Sequence, residues 1–262
     1  MTDQEDGQAA AAVARDVAAR LLAASEEVIT GGADVLAQYV GIFPTAYGWW
    51  RFICRSAEAA LLLGEHGFTV EAASVVRNVV NHAYGLHWLV DNGPLAVDAL
   101  IEKSRDDAEK MCKNLEQAGW PAAAEYRRLL EERKAQPAPV RSAADEELLR
   151  KLKHELGNVY DMLDRYASAE VYLVYSHLSG MSHTSIDTAN AYLEWTGDGT
   201  FQIRDEPADP GPAATVQLAV ALLQATSVMN QLLAGNPLQA SIDAAADDLG
   251  LQETLLFHGR VR

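Results

Sequence analysis

The chain has 262 residues, 49 % hydrophobic and 22 % charged, with 21 Lys and Arg against 37 Asp and Glu, a net charge of −16. This composition excludes wholesale disorder, and the length is ample for a substantial core. The acidity argues against a protein that coats nucleic acid or anionic membrane by bulk charge, though it leaves room for a small basic site. Cys54 and Cys112 are too few for a disulfide scaffold and lack C-x-x-C spacing, so they read as reduced thiols in a cytoplasmic protein. The acidic start, followed by Arg15 and Arg20, is the wrong order for a secretory signal. No run of 18 apolar residues without a charge stands out, so no membrane span is expected.

Met1 to Gln8 reads as a disordered polar tail, and the rest as one helical domain over 9–262. Val13, Val17, Leu21 and Val28 recur at helical spacing until Gly31-Gly32. Residues 33–40 have the length of a short helix, and Gly41 to Pro44 reads as a break. Trp49 to Leu63 and Val70 to Val90, joined by a short turn at Gly64-Glu65-His66-Gly67 with Thr69 as N-cap, form a central antiparallel helix hairpin. Leu95 to Gln117 is a charged helix, Ala122 to Lys134 another, and the proline-bearing segment 135–144 an exposed loop. Asp145 to Arg165 reads as one amphipathic helix, and Ser168 to Leu178 as an apolar one with room to continue toward His183. Gly197-Asp198-Gly199 between alternating residues signals a small β-hairpin within 193–203. Ala213 to Leu233 is a strongly apolar helix stopped by Asn236-Pro237, and the tail has room for two short helices at most. The class is all-α: a helical bundle with one small hairpin.

The chemistry-bearing residues concentrate in Arg77-Asn78-Val79-Val80-Asn81-His82-Ala83-Tyr84, within the second hairpin helix. Arg77, Asn81 and Tyr84 share a helix face, with His82 to one side. A buried arginine must be paired, and Glu58, near Arg55 on the preceding helix, is an available partner. One reading is therefore a buried network of Arg77, Glu58 and Asn81 that fixes helix register. The other is a site in which Arg77 holds an anion and His82 moves a proton near neutral pH.

Arg77, Asn78, His82 and Tyr84, spaced Arg-Asn-x-x-x-His-x-Tyr, resemble the signature of the HEPN superfamily. These are small all-helical domains, many of them metal-independent endoribonucleases of toxin–antitoxin and phage-defence systems. The resemblance implies a homodimer, RNA as substrate, an antitoxin-like protein partner, and no cofactor. Arg77 would act on the phosphate, His82 as general acid/base, and Asn78 and Tyr84 as positioning groups. A second resemblance runs from about Trp49 to Leu233. Arg55…Glu58, Arg77 and Tyr175-x-x-x-Ser179-x-x-x-His183 are similar to a bacterial all-helical family catalogued only as a domain of unknown function. Its usual pattern has Glu four residues after the hairpin arginine, where this chain has Asn81.

Tyr175, Ser179, His183 and Asp187 recur every fourth residue. The stripe can be read as a nucleophile with its base, as hydroxyls capping a helix near Gly180, or as a wall facing Arg77 and His82. His82, His87, His177 and His183 stand in no H-E-x-x-H or paired E-x-x-H pattern, so no metal is expected. Arg105 to Glu109 reads as a solvent-facing charge run, and Tyr47, Trp49, Trp50, His87 and Trp88 as core, interface or pocket wall. Three functional readings follow. The first is a HEPN-like ribonuclease. The second is a small-molecule-binding protein or biosynthetic enzyme using Arg55, Glu58, Arg77, Asn81, His82, Tyr175, Ser179 and His183. The third is a non-catalytic interaction module.

Overall fold

The computed structural model describes residues 2–134, 141–208 and 211–251. The chain packs as two compact units, residues 1–91 with 160–262, and residues 92–159, where composition and spacing suggest one domain. The loop expected at 135–144 falls largely outside the described residues, and so does the tail beyond 251.

In the larger unit, α1 runs over Thr2–Gly31. α1 begins ahead of its alanine-rich run, within the polar segment expected to be a tail. Ala14, Val17, Ala18 and Leu21 form its buried stripe. Residues 33–40 hold only a 3₁₀ turn at Ala37–Tyr39 and a bridge from Val35 to Leu233. α2 spans Phe43–Glu65. Pro44 sits in its first turn, where a missing N–H is harmless, so it starts a helix instead of breaking one. After a turn with Gly67 at φ +82°, α3 spans Ala72–Asn92. Thr69 lies ahead of its first turn and does not serve as its cap. The α2–α3 pair keeps one face open, with Phe52, Arg55, Glu58 and Asn78 exposed.

α7, Val159–Tyr166, α8, Ala169–Met181, and the short α9, Ile186–Asn190, follow on the return into this unit. α8 stops at Met181. The Ser182 hydroxyl donates to Leu178 O at 2.6 Å, and the Ser185 hydroxyl donates to Gly180 O at 2.7 Å. A Cβ at Gly180 would meet an Asp187 carboxylate oxygen at 2.9 Å, so a larger residue there would make that side chain shift. The four-residue stripe from Tyr175 to Asp187 is thus cut before His183. β1, Leu193–Trp195, and β2, Phe201–Ile203, pair antiparallel with Leu193 opposite Ile203, as the Asp-Gly turn predicts. Thr196 and Thr200 donate to Asp198 across that turn and hold its carboxyl down at about 2.

The most enclosed element is α10, Ala213–Leu232, in which every residue from 221 to 230 is buried. It packs against α1, α2, α8 and the final helix α11, Gln239–Asp248. By length and composition alone α10 passes for a membrane span, but most of it is enclosed by the fold. α10 is 20 residues long with a mean hydropathy of 1.2 over its 18-residue window, and 72 % of that window is buried within the fold.

The smaller unit contains α4, Pro94–Gln117, α5, Ala123–Lys134, and α6, Ala143–Glu155. The helix expected over 145–165 is two helices, because hydrogen bonds from Gly157 to His154 O and from Asn158 to Glu155 O close a turn between α6 and α7. Ion pairs cross the unit. Arg141 meets Asp98 at 3.0 Å and Glu102 at 2.8 Å, Lys153 meets Asp106 at 2.8 Å, and Arg127 meets Glu109 at 2.7 Å. The charge run at 105–109 thus supplies partners for α5 and α6.

Ser142 closes a capping box on α6, accepting from Asp145 N at 3.1 Å. Ser142→Ala is expected to cost about 1 kcal/mol in urea unfolding followed by circular dichroism. Lys134 and Arg127 hold Glu109 down to about 2, below its ordinary 4.5. That stabilisation is present above about pH 4.5 and is lost as pH falls toward about 2. Glu109→Gln should therefore flatten the loss of stability over this acid range, measured as the urea midpoint against pH.

Candidate functional site

α3 carries most of the polar side chains, and its 3.6-residue period decides which of them meet. Arg77 is half-buried, with its guanidinium carbon 5.2 Å from the centroid of the Tyr175 ring on α8. Its Nε is buried without a hydrogen-bond partner among the described residues. Burial pushes the Tyr175 phenol up, and the Arg77 charge opposes that. The register network expected from Arg77, Glu58 and Asn81 does not form. Glu58 is exposed on α2, Asn81 is half-buried, and Glu71 accepts from the Tyr192 hydroxyl. Among the described residues no ion pair joins Arg77 to a carboxylate.

His82 follows Arg77 by five residues, about 140° around the helix, and so leaves by another side. Its Nδ1 lies 2.8 Å from Asn78 O. A carbonyl can only accept, so that nitrogen carries the proton and the neutral ring keeps Nε2 as an acceptor. The ring stacks on Phe52 at 4.4 Å and meets the Trp49 ring edge-on at 6.0 Å. Phe52 is 43 % exposed, and Arg55 and Asn78 are exposed nearby in sequence on α2 and α3. Tyr84 is 3 % exposed, and burial drives its phenol far above its ordinary value, so it reaches no solvent-borne substrate. Ser179 is half-buried on α8, whereas His183 is exposed beyond its end. Of the expected site residues, the fold brings Arg77 to Tyr175, and His82 meets the Asn78 carbonyl one turn earlier on the same helix.

A further polar chain lies one to two turns along α3. Gln224 of α10 donates to His87 Nδ1 at 2.6 Å. The His87 ring stacks on Tyr166 of α7 at 4.4 Å. The Tyr166 hydroxyl donates to Asp91 at 2.8 Å, and Arg165 meets the same carboxylate at 2.6 Å. Burial pushes His87 down from its ordinary 6.5, opposed by Asp91. These partners were hidden in the sequence because 137 residues separate Gln224 from His87. The only local signal was a glutamine inside the most apolar helix.

The larger unit also holds a cavity of about 590 Å³ between α1, α2, α3 and α10. Its walls include Ala60, Leu61, Ala72, Val76 and Leu218. The polar side chains at its edge are Gln8, Arg15, Thr69 and Thr215, and the described lining residues include no Asp or Glu. Gln8, Ala11 and Arg15 reach it from one face of α1. Among the described residues, no group of three or more His, Cys, Asp or Glu side chains is arranged to hold a metal ion.

Residues 45–201 match the family of unknown function DUF5677. The chain belongs to that family. No curated protein and no solved structure matches it. The DUF5677 region covers α2 from residue 45, α3 to α9 and β1, and ends at the first residue of β2; it thus includes Arg77, His82, His87 and Tyr175. It supplies the α2 and α3 walls of the cavity, while the α1 and α10 walls lie outside it.

His87 is held neutral in the fold, so the stability it contributes is present above about pH 6.5 and is lost as pH falls through its lower folded value. His87→Gln should lose less stability than wild type between about pH 7.5 and about pH 5.5, read from urea midpoints.

Proposed function

We propose that the protein binds a small organic molecule in the cavity between α1, α2, α3 and α10. The observation that carries this reading is the volume of about 590 Å³. It falls within the range of roughly 300–1,000 Å³ typical of ligand sites, and mostly apolar walls with few polar groups at the edge are the usual make-up of such sites. The lining residues offer no nucleophile–base pair, so capture is favoured over covalent chemistry. The polar pocket foreseen around Arg77, His82 and Tyr175 is thereby replaced by a neighbouring space, bordered by Val76 next to Arg77.

The neutral fluorophore N-phenyl-1-naphthylamine tests this. Wild type is expected to bind it saturably with one site per chain. Ala214→Trp and Thr215→Trp, each filling the cavity from α10, should weaken it at least about tenfold while the far-ultraviolet circular dichroism stays native. Non-saturable binding, or binding unchanged in both variants, would sink the idea.

A second reading, a metal-independent endoribonuclease of HEPN type in a cytoplasmic homodimer, has one feature in its favour. His82 keeps Nε2 available beside the exposed Phe52, a ring on which a base could stack. The outward divergence of Arg77 from His82 means that a second copy, or Arg55, would have to supply the phosphate-binding charge. RNA incubated with protein in EDTA should then be cleaved by wild type and not by His82→Ala; intact RNA with folded wild type removes the reading.

A further inference from the structure

Resting on the small-molecule reading, we infer that the cavity selects an organic monoanion: an apolar body carrying one carboxylate or sulfonate head, with Arg15 as its counter-ion. The chain carries a net charge of −16, and its arginines are mostly answered by carboxylates. Arg20 pairs with Asp16, Arg51 with Glu26, Arg128 with Glu125, and Arg204 with Glu194. Arg15 differs. It lines the cavity and makes no ion pair among the described residues. In a chain with 37 acidic residues, the absence of any acid from the described lining leaves a local cationic edge.

Shape and charge then specify the ligand together. The apolar walls reward a hydrocarbon or aromatic body through area removed from water. A guanidinium fork at the edge of a partly dehydrated space matches a planar or tetrahedral oxyanion in bidentate fashion. One arginine balances one charge, and a dianion would leave the second uncompensated beside an acidic surface. Gln8 and Thr215 at the same edge add neutral hydrogen-bonding groups for the head. The start of α10, beside Pro212 and Ala214, adds partial positive charge of the same sign. The cavity and Arg15 carry the inference; the helix end only reinforces it.

The test pairs two probes of one ring system. N-phenyl-1-naphthylamine is neutral, and 1-anilinonaphthalene-8-sulfonate carries one negative charge. The full chain should bind the sulfonate about tenfold more tightly than the neutral probe, the effect of one charge-assisted hydrogen-bonded pair. Arg15→Gln should abolish that difference, read as the ratio of the two affinities, while Arg15→Lys should restore part of it. Ala214→Trp should weaken both probes, which ties them to the cavity. Decanoate should displace the sulfonate better than decyl phosphate, whose head is largely dianionic near neutral pH, and better than neutral decanol. If the two probes bind equally, or the sulfonate preference survives Arg15→Gln, the anion assignment is overturned and small-molecule binding stands. If neither probe binds saturably, both fall.

Discussion

The larger unit is organised by the need to bury α10. This 20-residue helix has no charge, and it lies enclosed by α1, α2, α8 and α11. Its apolar area drives association, and alanines at 219, 221 and 225 let neighbours approach. It also carries amides, which cost about 1–3 kcal/mol each if buried without partners. Gln224 is answered by His87 on α3, while Asn230 accepts from Leu238 N at 2.9 Å and donates to Gln239 at 3.0 Å. The amides thus convert a non-directional attraction into fixed positions, one for α3 and one for the turn into α11. The His87–Tyr166–Asp91–Arg165 chain hangs from the first of these and fastens α7.

α3 distributes its polar residues by angle. Arg77 goes to Tyr175, His82 to the aromatic face of α2, and His87 to α10. A spacing that looks like one catalytic cluster along the sequence becomes three separate environments in the fold. The space with the dimensions of a ligand site lies at the beginning of α3, where Thr69, Ala72 and Val76 meet the starts of α1 and α10. Membership of the DUF5677 family covers only part of that space. The Arg15 wall and the α10 wall are built by segments on either side of the matched region.

Much of the architecture was legible because it is local. The α4 and α5 spans, the α10 span and the Asp198 turn follow from periodicity, prolines and an Asp-Gly pair, and their bounds agree within a residue or two. Misreadings occurred where one local rule had two meanings. Pro44 could end or begin a helix, and Gly157 could interrupt or merely weaken one. The polar residues ahead of the alanine run could be tail or the first turns of its helix. The site was less legible because its geometry is long-range. Arg77 and Tyr175 are 98 residues apart in numbering, and nothing in either neighbourhood selects the other. The cavity is less legible still, since small residues such as Ala60, Ala72 and Ala214 mark it only by what they fail to fill.

The two units answer differently to dissolved ions. In the smaller one, α4, α5 and α6 are laced by half-exposed pairs such as Arg127–Glu109 and Lys153–Asp106. Mobile ions screen such pairs within roughly 8–10 Å at ordinary ionic strength. The larger unit rests on area withdrawn from water around α10, which salting-out anions such as sulfate reinforce. Raising the concentration of such a salt therefore loosens one unit while tightening the other. The midpoint of a melting curve of the whole chain then shifts with the kind of salt in the buffer as the balance of these two responses.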